Sequence, residues 1–343
     1  MRCMSYIRSA VANGVGEIIL DRPKALNALD QSMVEDMYQV LVAWGDDDTV
    51  RTVLVTSASD RAFCAGGDIR AIREAAVLGD HEAITNYFSS EYRLDQLIAN
   101  YPKPYVSLID GAAMGGGLGI SVHGEIRVVT EKALIAMPET AIGFFPDIGS
   151  TYFLPRLPDG VGNWLGLTGA RVSGAQALQV GLATHAVVSD ELPTLAEALR
   201  SGAPLVEALG GLKVPTADPL PLDKVAEYFV GDSAAAIVGG LRGAVGVDGD
   251  DTGENWASEM LDLLQTASPT SLAVTAALIA AGAQSSLDEC FDRELHAAQE
   301  ITATPDFAEG VRAVLIDKDR SPSFVPATLD EVDAATVARI VGE

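Results

Sequence analysis

The 343-residue chain carries 48 Asp and Glu against 23 Lys and Arg, a formal net charge of −25, and 48% of its residues are hydrophobic. A chain of this size buries a large core, as one large domain or two of ordinary size. Its acidic surface repels the phosphates of nucleic acid and of anionic membranes, so neither is an expected partner, whereas a small anionic ligand held by local charge is compatible.

Cys3, Cys64 and Cys290 are odd in number and widely spaced. That indicates neither a disulfide framework nor a zinc site, and it fits a reducing, cytoplasmic compartment. The amino-terminal MRCMSYIRSAV lacks the apolar core of a signal peptide, and no run reaches the roughly 18 apolar residues that span a bilayer. The run from Leu272 to Ala283 is shorter and alanine-rich, and reads as a buried helix.

In chain order, Val15–Asp21 (VGEIILD) has strand character and ends before Pro23, which has no backbone donor. Ser32 and Glu35 have the spacing of a capping box, and Met33, Met37, Val40, Leu41 and Trp44 recur at helical spacing, predicting an amphipathic helix. Thr52–Thr56 reads as a short buried strand. Gly66 and Gly67 stand just before Asp68, which is suited to capping a helix that begins near Ile69. His81–Asn100 reads as a long helix whose aromatics, Tyr87, Phe88 and Tyr92, face the core. Glu91 on that helix is a lone acid, as compatible with a solvated face as with a site.

Tyr105–Ile109 predicts a strand, and Gly115-Gly116-Gly117 a turn that opens a helix. Such an opening leaves backbone N–H groups without intrahelical partners, and glycine lets a ligand oxygen come close to them. Ile148–Leu154 and Val161–Leu167 read as short helices separated by Pro155 and Pro158. A capped helix runs from Ser173 to Gly181, and Thr184–Val188 returns to strand. The alternation over residues 10–190 predicts an α/β domain. Ser201–Gly253 has weak periodicity and predicts a helical excursion with loops, whereas Trp256–Val341 reads as helices only. This divides the chain into a core, 1–200, with the ligand site, and a region, 201–343, of variable helical insertion and helical cap. No internal sequence repeat stands out.

If the strands before the two glycine turns are neighbours, Ala65–Asp68 and Gly115–Gly117 aim two backbone N–H groups at one point. That is an oxyanion hole, in which one donor is worth about 3 kcal/mol of barrier. Glu139, set among Ala136, Met137, Ile142 and Phe144, is a candidate for a desolvated carboxyl that moves protons, and Asp147 is a second. Ser121 and His123 do not form a Gly-x-Ser-x-Gly elbow, and residues two apart on a helix do not face each other, so His123 reads as a buried, hydrogen-bonded histidine. His81, His185 and His296 are isolated, and no metal-ligand spacing occurs. Cys64 reads as a small buried residue rather than a nucleophile.

The fragments AFCAGGDI, GAAMGGGLGISVHG and MPETAIGFFPDIGSTYFLPRL resemble the crotonase (enoyl-CoA hydratase/isomerase) superfamily, and within it the 3-hydroxyisobutyryl-CoA hydrolase branch. The tail DFAEGVRAVLIDKDRSPSFVPATLDEV resembles the carboxyl end of that branch, so the similarity spans nearly the whole chain and is weakest over Ser201–Gly253. The resemblance implies an α/β fold: a crotonase-like spiral of repeated ββα units with an all-helical carboxyl-terminal region. It implies Gly67 and Gly116 as oxyanion-hole donors, and Leu26, Ala65, Asp68 and Ile69 as the segments that hold CoA, largely by backbone contacts. Glu91, Gly116, Glu139 and Asp147 match the substrate-contacting positions. Arg22, Lys24 and Arg61 are single basic residues within reach of the CoA phosphates in this reading.

One departure from the family pattern carries weight. Hydratases of this superfamily have a glutamate three residues after the middle glycine, where this chain has Gly119. Adding water across a double bond needs one carboxylate to position water and another for the second proton. Glu139 with Asp147 suits hydrolysis instead: one attacks the thioester or activates water, and the other orients water or protonates the leaving thiolate, in either assignment. The resemblance therefore implies hydrolysis of a short 3-hydroxyacyl-CoA, 3-hydroxyisobutyryl-CoA in valine breakdown first among them. No metal or redox cofactor is implied, CoA being part of the substrate. The alternatives are an enoyl-CoA hydratase or isomerase and a non-catalytic acyl-CoA-binding protein. Family relatives form trimers or pairs of trimers, so a homo-oligomer of that kind is a candidate assembly.

Overall fold

The computed structural model describes residues 6–245 and 256–343. The expectation for Ser201–Gly253 therefore lies outside the described residues over 246–253. The chain forms two compact units, each built from separate stretches: 1–68, 89–136 and 171–220 in the first, and 69–88, 137–170 and 221–343 in the second.

The first unit carries the ten strands of the described residues: β1 Ile7–Ala12, β2 Val15–Leu20, β3 Thr52–Ser57, β4 Ala62–Cys64, β5 Tyr105–Ile109, β6 Ala112–Met114, β7 Ile126–Val129, β8 Leu134–Ala136, β9 Val172–Ser173 and β10 His185–Ala186. They form a six-stranded sheet, β1-β2-β3-β5-β7-β10, and a four-stranded sheet, β4-β6-β8-β9. β1 and β2 are an antiparallel hairpin, and from β2 onwards the large sheet is parallel. β5 is buried at every position and β3 at its four central ones, the continuous apolar pattern of strands covered on both faces. Val15, Leu54, Val106, Leu108 and Val128 pack with Leu195 and Leu199 of the Leu192–Arg200 helix to form one core.

A structural repeat appears here that the sequence conceals. In β3–β4, β5–β6 and β7–β8, the first strand joins the large sheet and the second joins the small one. A helical segment follows each pair: Ile69–Leu78 and His81–Ala99, then Gly116–Val122, then the 3₁₀ turn Glu139–Ile142. The repeats start at unequal intervals, at Thr52, Tyr105 and Ile126, so no fixed period marks them. Strands β1, β4, β6, β7 and β9 escape the sequence reading. β4 and β6 have only three residues each, too few for an alternation to register.

The helix predicted after Pro23 spans Gln31–Gly45, but Asp30 caps it, its carboxylate accepting from Met33 N at 3.0 Å. The expected Ser32 cap is corrected: Ser32 lies inside the first turn and its hydroxyl donates to Asp30 Oδ1. The Ser173 prediction holds, with a capping box to Gln176 and Gly181 in the left-handed region at the far end.

The second unit is helical. Pro269–Gly282 is buried on nearly all sides and Leu287–Thr302 presents Cys290, Phe291, Glu294, Ala297, Ala298 and Ile301 to the interior. Among the described residues no single helix is long and apolar enough to cross a membrane. Phe144 stacks on Phe145 and on Phe88, with ring centroids 4.7 and 5.4 Å apart, and Phe307 packs at 5.8 Å.

Candidate active site

In the first unit, β4 and β6 are parallel neighbours, with Cys64 opposite Ala113. The glycine turns that follow them consequently lie side by side: Gly67 N is 3.3 Å from the point that a Cβ on Gly116 would occupy. Gly116 is the first residue of the Gly116–Val122 helix, so its N–H has no carbonyl one turn back within that helix. Gly67 bridges to Leu29, but the bridge uses Gly66 O and Asp68 N, and the Gly67 amide stands outside it.

The loop before Leu29 is pinned to the same place. Leu26 is left-handed, φ 52°, and its carbonyl accepts from Ala65 N at 3.0 Å. Asn27, fully buried, donates to Ser57 Oγ and to Phe63 O at 2.8 and 2.9 Å. Arg22 donates to Ala28 O and to Asp68 Oδ2 at 2.8 and 2.9 Å. The structure thus brings Leu26, Ala65 and Asp68 together in the first unit, and it engages Arg22 as a clamp on this loop. Ile69 begins the Ile69–Leu78 helix and belongs to the second unit.

Glu91 and Asp95, four residues apart on the His81–Ala99 helix, are 3% and 0% exposed. The solvated-face reading of Glu91 is corrected: its carboxylate lies against Gly116, where a Cβ would collide with Oε1. Asp95 does the same at Gly119, with Oδ2 2.7 Å and Oδ1 3.0 Å from a Cβ built there. Two buried acids one helical turn apart thus lie on two glycines three residues apart. The sequence reading missed Asp95, for which the only signal is its i, i+4 spacing from Glu91. Burial, and then the negative charge of Asp95, push the Tyr105 phenol well above its ordinary range. Its hydroxyl donates to Ile120 O at 2.8 Å. Cys64 is fully buried, its thiol donates to Asn27 O, and burial pushes its pKa up to about 12. It is structural, as expected. His123 ends the Gly116–Val122 helix and is half-buried.

The second unit carries Glu139 and Asp147, 8% and 5% exposed. Glu139 opens a 3₁₀ turn three residues after β8 ends, and its carbonyl accepts from Phe144 N at 3.1 Å. Next to it, Thr140 donates from Oγ1 to Leu167 O and accepts from Ser268 N. The stacked phenylalanines then fix the backbone between the two acids. Asp147 begins a tight turn, its carbonyl accepting from Ser150 N at 2.9 Å. Within it Ile148 has φ +58° and Gly149 φ +75°. A β-branched residue in the left-handed region costs of order 1–3 kcal/mol, so the surroundings must hold it there.

Glu294 does so in part. Fully buried on the Leu287–Thr302 helix, it accepts from Gly149 N on Oε2 at 2.6 Å, and from Thr151 N and Oγ1 on Oε1 at 3.0 and 2.6 Å. Burial pushes its pKa up to about 8, with the negative charge of Asp147 adding to the rise against the three donors. Sequence reasoning passed over Glu294, one of several acids on an amphipathic helix.

Residues 15–341 match the family model described as enoyl-CoA hydratase/isomerase. The chain is 43% identical over 334 residues to the mitochondrial 3-hydroxyisobutyryl-CoA hydrolase of Gallus gallus, covering 93% of this chain and 84% of that protein. It is 41% identical over 332 residues to the enzyme of the same name from Homo sapiens, covering 92% and 83%. Among solved structures, a carnitinyl-CoA dehydratase from Mycobacterium thermoresistibile superposes with a TM-score of 0.89 at 38% identity, covering 98% of this chain and 96% of that one. An enoyl-CoA hydratase from Rhodobacter sphaeroides gives 0.88 at 36%, covering 98% and 97%. The α/β fold is theirs, as the resemblance implied. The expected cytoplasmic location is overturned by the hydrolase relatives, which are named as mitochondrial enzymes.

Proposed function

Because the chain belongs to the enoyl-CoA hydratase/isomerase (crotonase) family, we propose that it hydrolyses a short 3-hydroxyacyl-CoA thioester, 3-hydroxyisobutyryl-CoA first among them, to the free hydroxy acid and CoA, a step of valine breakdown. The observation that carries this reading is Gly119: the site lacks a hydratase's glutamate there, and Asp95 occupies the space its side chain would need.

In this reading the amides of Gly67 and Gly116 receive the thioester carbonyl oxygen, with the Glu91 carboxylate beside Gly116. An oxygen nucleophile, water or a carboxylate, adds to the carbonyl carbon, and the π electrons move onto the oxygen that the two amides stabilise. The tetrahedral species collapses, the C–S bond breaks, and the thiolate takes a proton. Glu139 and Asp147 divide these tasks. If one attacks directly, the resulting anhydride is hydrolysed by water that the other activates. Leu26, Ala65, Asp68 and Ile69 hold the CoA moiety. The chemistry requires no metal or redox cofactor. A homotrimer or a pair of trimers is the proposed assembly.

The names of the two solved relatives favour a second reading, hydration or dehydration of an enoyl-CoA. One assay separates the readings. Free thiol released from 3-hydroxyisobutyryl-CoA supports hydrolysis, and none above background at micromolar enzyme rejects it. Loss of the enoyl absorbance of crotonyl-CoA without thiol release supports hydration, and tight CoA-ester binding without any product supports a binding protein.

A further inference from the structure

Glu294 lies on a helix to which the mechanism assigns no residue, yet it is fully buried and all its described bonds go to a single turn. The bonds join residues 143 and 145 positions apart in the sequence. The turn they reach holds Ile148 at φ +58° and Gly149 at φ +75°, a conformation that is costly for the β-branched Ile148. Glu294 Oε2 takes the amide of Gly149, and Oε1 takes both the amide and the hydroxyl of Thr151, so the carboxylate straddles the start of the Ser150–Phe153 helix. Asp147 sits on the other side of Ile148 and is near enough for its charge to act on Glu294.

We propose that Glu294 is a positioning residue for thioester hydrolysis: by clamping Gly149 and Thr151 it holds the strained turn that presents the Asp147 carboxylate to the reaction. The inference rests on the catalytic reading of Asp147. Glu294 itself reaches the chemistry only through the turn. Several acids of the Leu287–Thr302 helix cap or face solvent, whereas this one joins the carboxyl-terminal helices to the candidate site.

The test uses the full chain and the variant Glu294→Gln. Glutamine has the same shape but turns an N–H pair towards one of the three donors, so at least one bond is lost. Amide hydrogen exchange should accelerate at Gly149 and Thr151, with the β-sheets unchanged. With 3-hydroxyisobutyryl-CoA, kcat should fall by about a hundredfold with KM nearly unchanged, the pattern of a misplaced catalytic group rather than of lost binding. In an Asp147→Ala background the same substitution should cost little further, because both changes remove one function.

Unchanged exchange, or faster exchange with a normal kcat in an active enzyme, overturns the proposal. So does a full additional loss in the Asp147→Ala background. If the wild-type chain releases no thiol while exchange responds as described, the hydrolase reading fails and the clamp stands. Should Glu294→Gln fail to fold, Thr151→Val removes only the hydroxyl donor and leaves the Glu294 side chain in place. The same local exchange effect and a smaller drop in kcat are then expected, and their absence overturns the proposal.

Discussion

Asp95 Oδ2 stands 2.7 Å from where a Cβ on Gly119 would be, so the carboxylate of one helix fills the side-chain space of a residue on another. Gly119 is therefore more than a lost glutamate, since the vacancy is already occupied. Gly119→Glu should not restore hydration. It overpacks a fully buried position and sets two carboxylates against each other, so a loss of about 1–3 kcal/mol or more is expected. Thermal unfolding of Gly119→Glu, alone and with Asp95→Gly, checks this: the double variant should recover part of the lost stability, and neither should hydrate crotonyl-CoA.

The same reasoning applies one turn earlier. Gly116→Ala places a methyl group on Glu91 Oε1, and the amide of Gly116 is one of the two assigned to the oxyanion. Activity should drop by about 10²–10³-fold even where the chain still folds. Thiol release at saturating substrate, with circular dichroism as the folding control, tests it.

Glu139→Ala and Asp147→Ala should each lower the maximal rate of thiol release by at least about a hundredfold, the usual loss on removing a group that transfers protons. A near-normal rate in either variant removes that residue from the mechanism.

The candidate residues Gly67, Gly116, Glu139 and Asp147 stand out in the sequence before the fold is known. The glycine turns, Glu139 and Asp147 lie in short local motifs, and local motifs survive in a linear sequence. Glu91 was ambiguous because burial depends on what packs over a helix, and here that is a glycine face whose own pattern says nothing about its cover. Asp95 and Glu294 were invisible for a related reason: each acts through a partner distant in sequence, Gly119 in one case and Thr151, 143 positions away, in the other. The ββα repeat was hidden by three-residue strands and by insertions of unequal length between repeats. The Ser32 capping box lost to Asp30, one residue before the helix, because both residue types cap well and only the backbone decides which stands at the boundary.

Stability should vary with pH through Glu294. Its pKa rises on folding from its ordinary value near 4.5 to about 8, so the folded state binds the proton more tightly. Stability contributed by the protonated form is complete below about 4.5 and is lost as pH rises through about 8. The charged group that acts on it is Asp147 on the turn. Glu309, held down to about 2 by Arg312, works in the opposite sense, but only at more acid pH. The midpoint of thermal unfolding should fall across the window from about 4.5 to about 8, and Glu294→Gln should flatten that slope. An equal slope in the variant would remove Glu294 as its source.

Cys64 adjoins the first glycine turn yet should resist alkylation in the native protein, because its thiol is buried and held up to about 12. Peptide mapping after iodoacetamide treatment should find Cys64 modified only when the chain has first been unfolded.

The clamp from Glu294 also imposes an order on synthesis. A ribosome making this chain has released Asp147 and its turn long before residue 294 emerges, and until then Gly149 and Thr151 lack their bonds to Glu294. The glycine turns of the first unit can form early, whereas the turn at Asp147 must wait for about the last sixth of the polypeptide. A chain released short of that helix would keep every candidate catalytic residue and still lack a settled geometry for one of them.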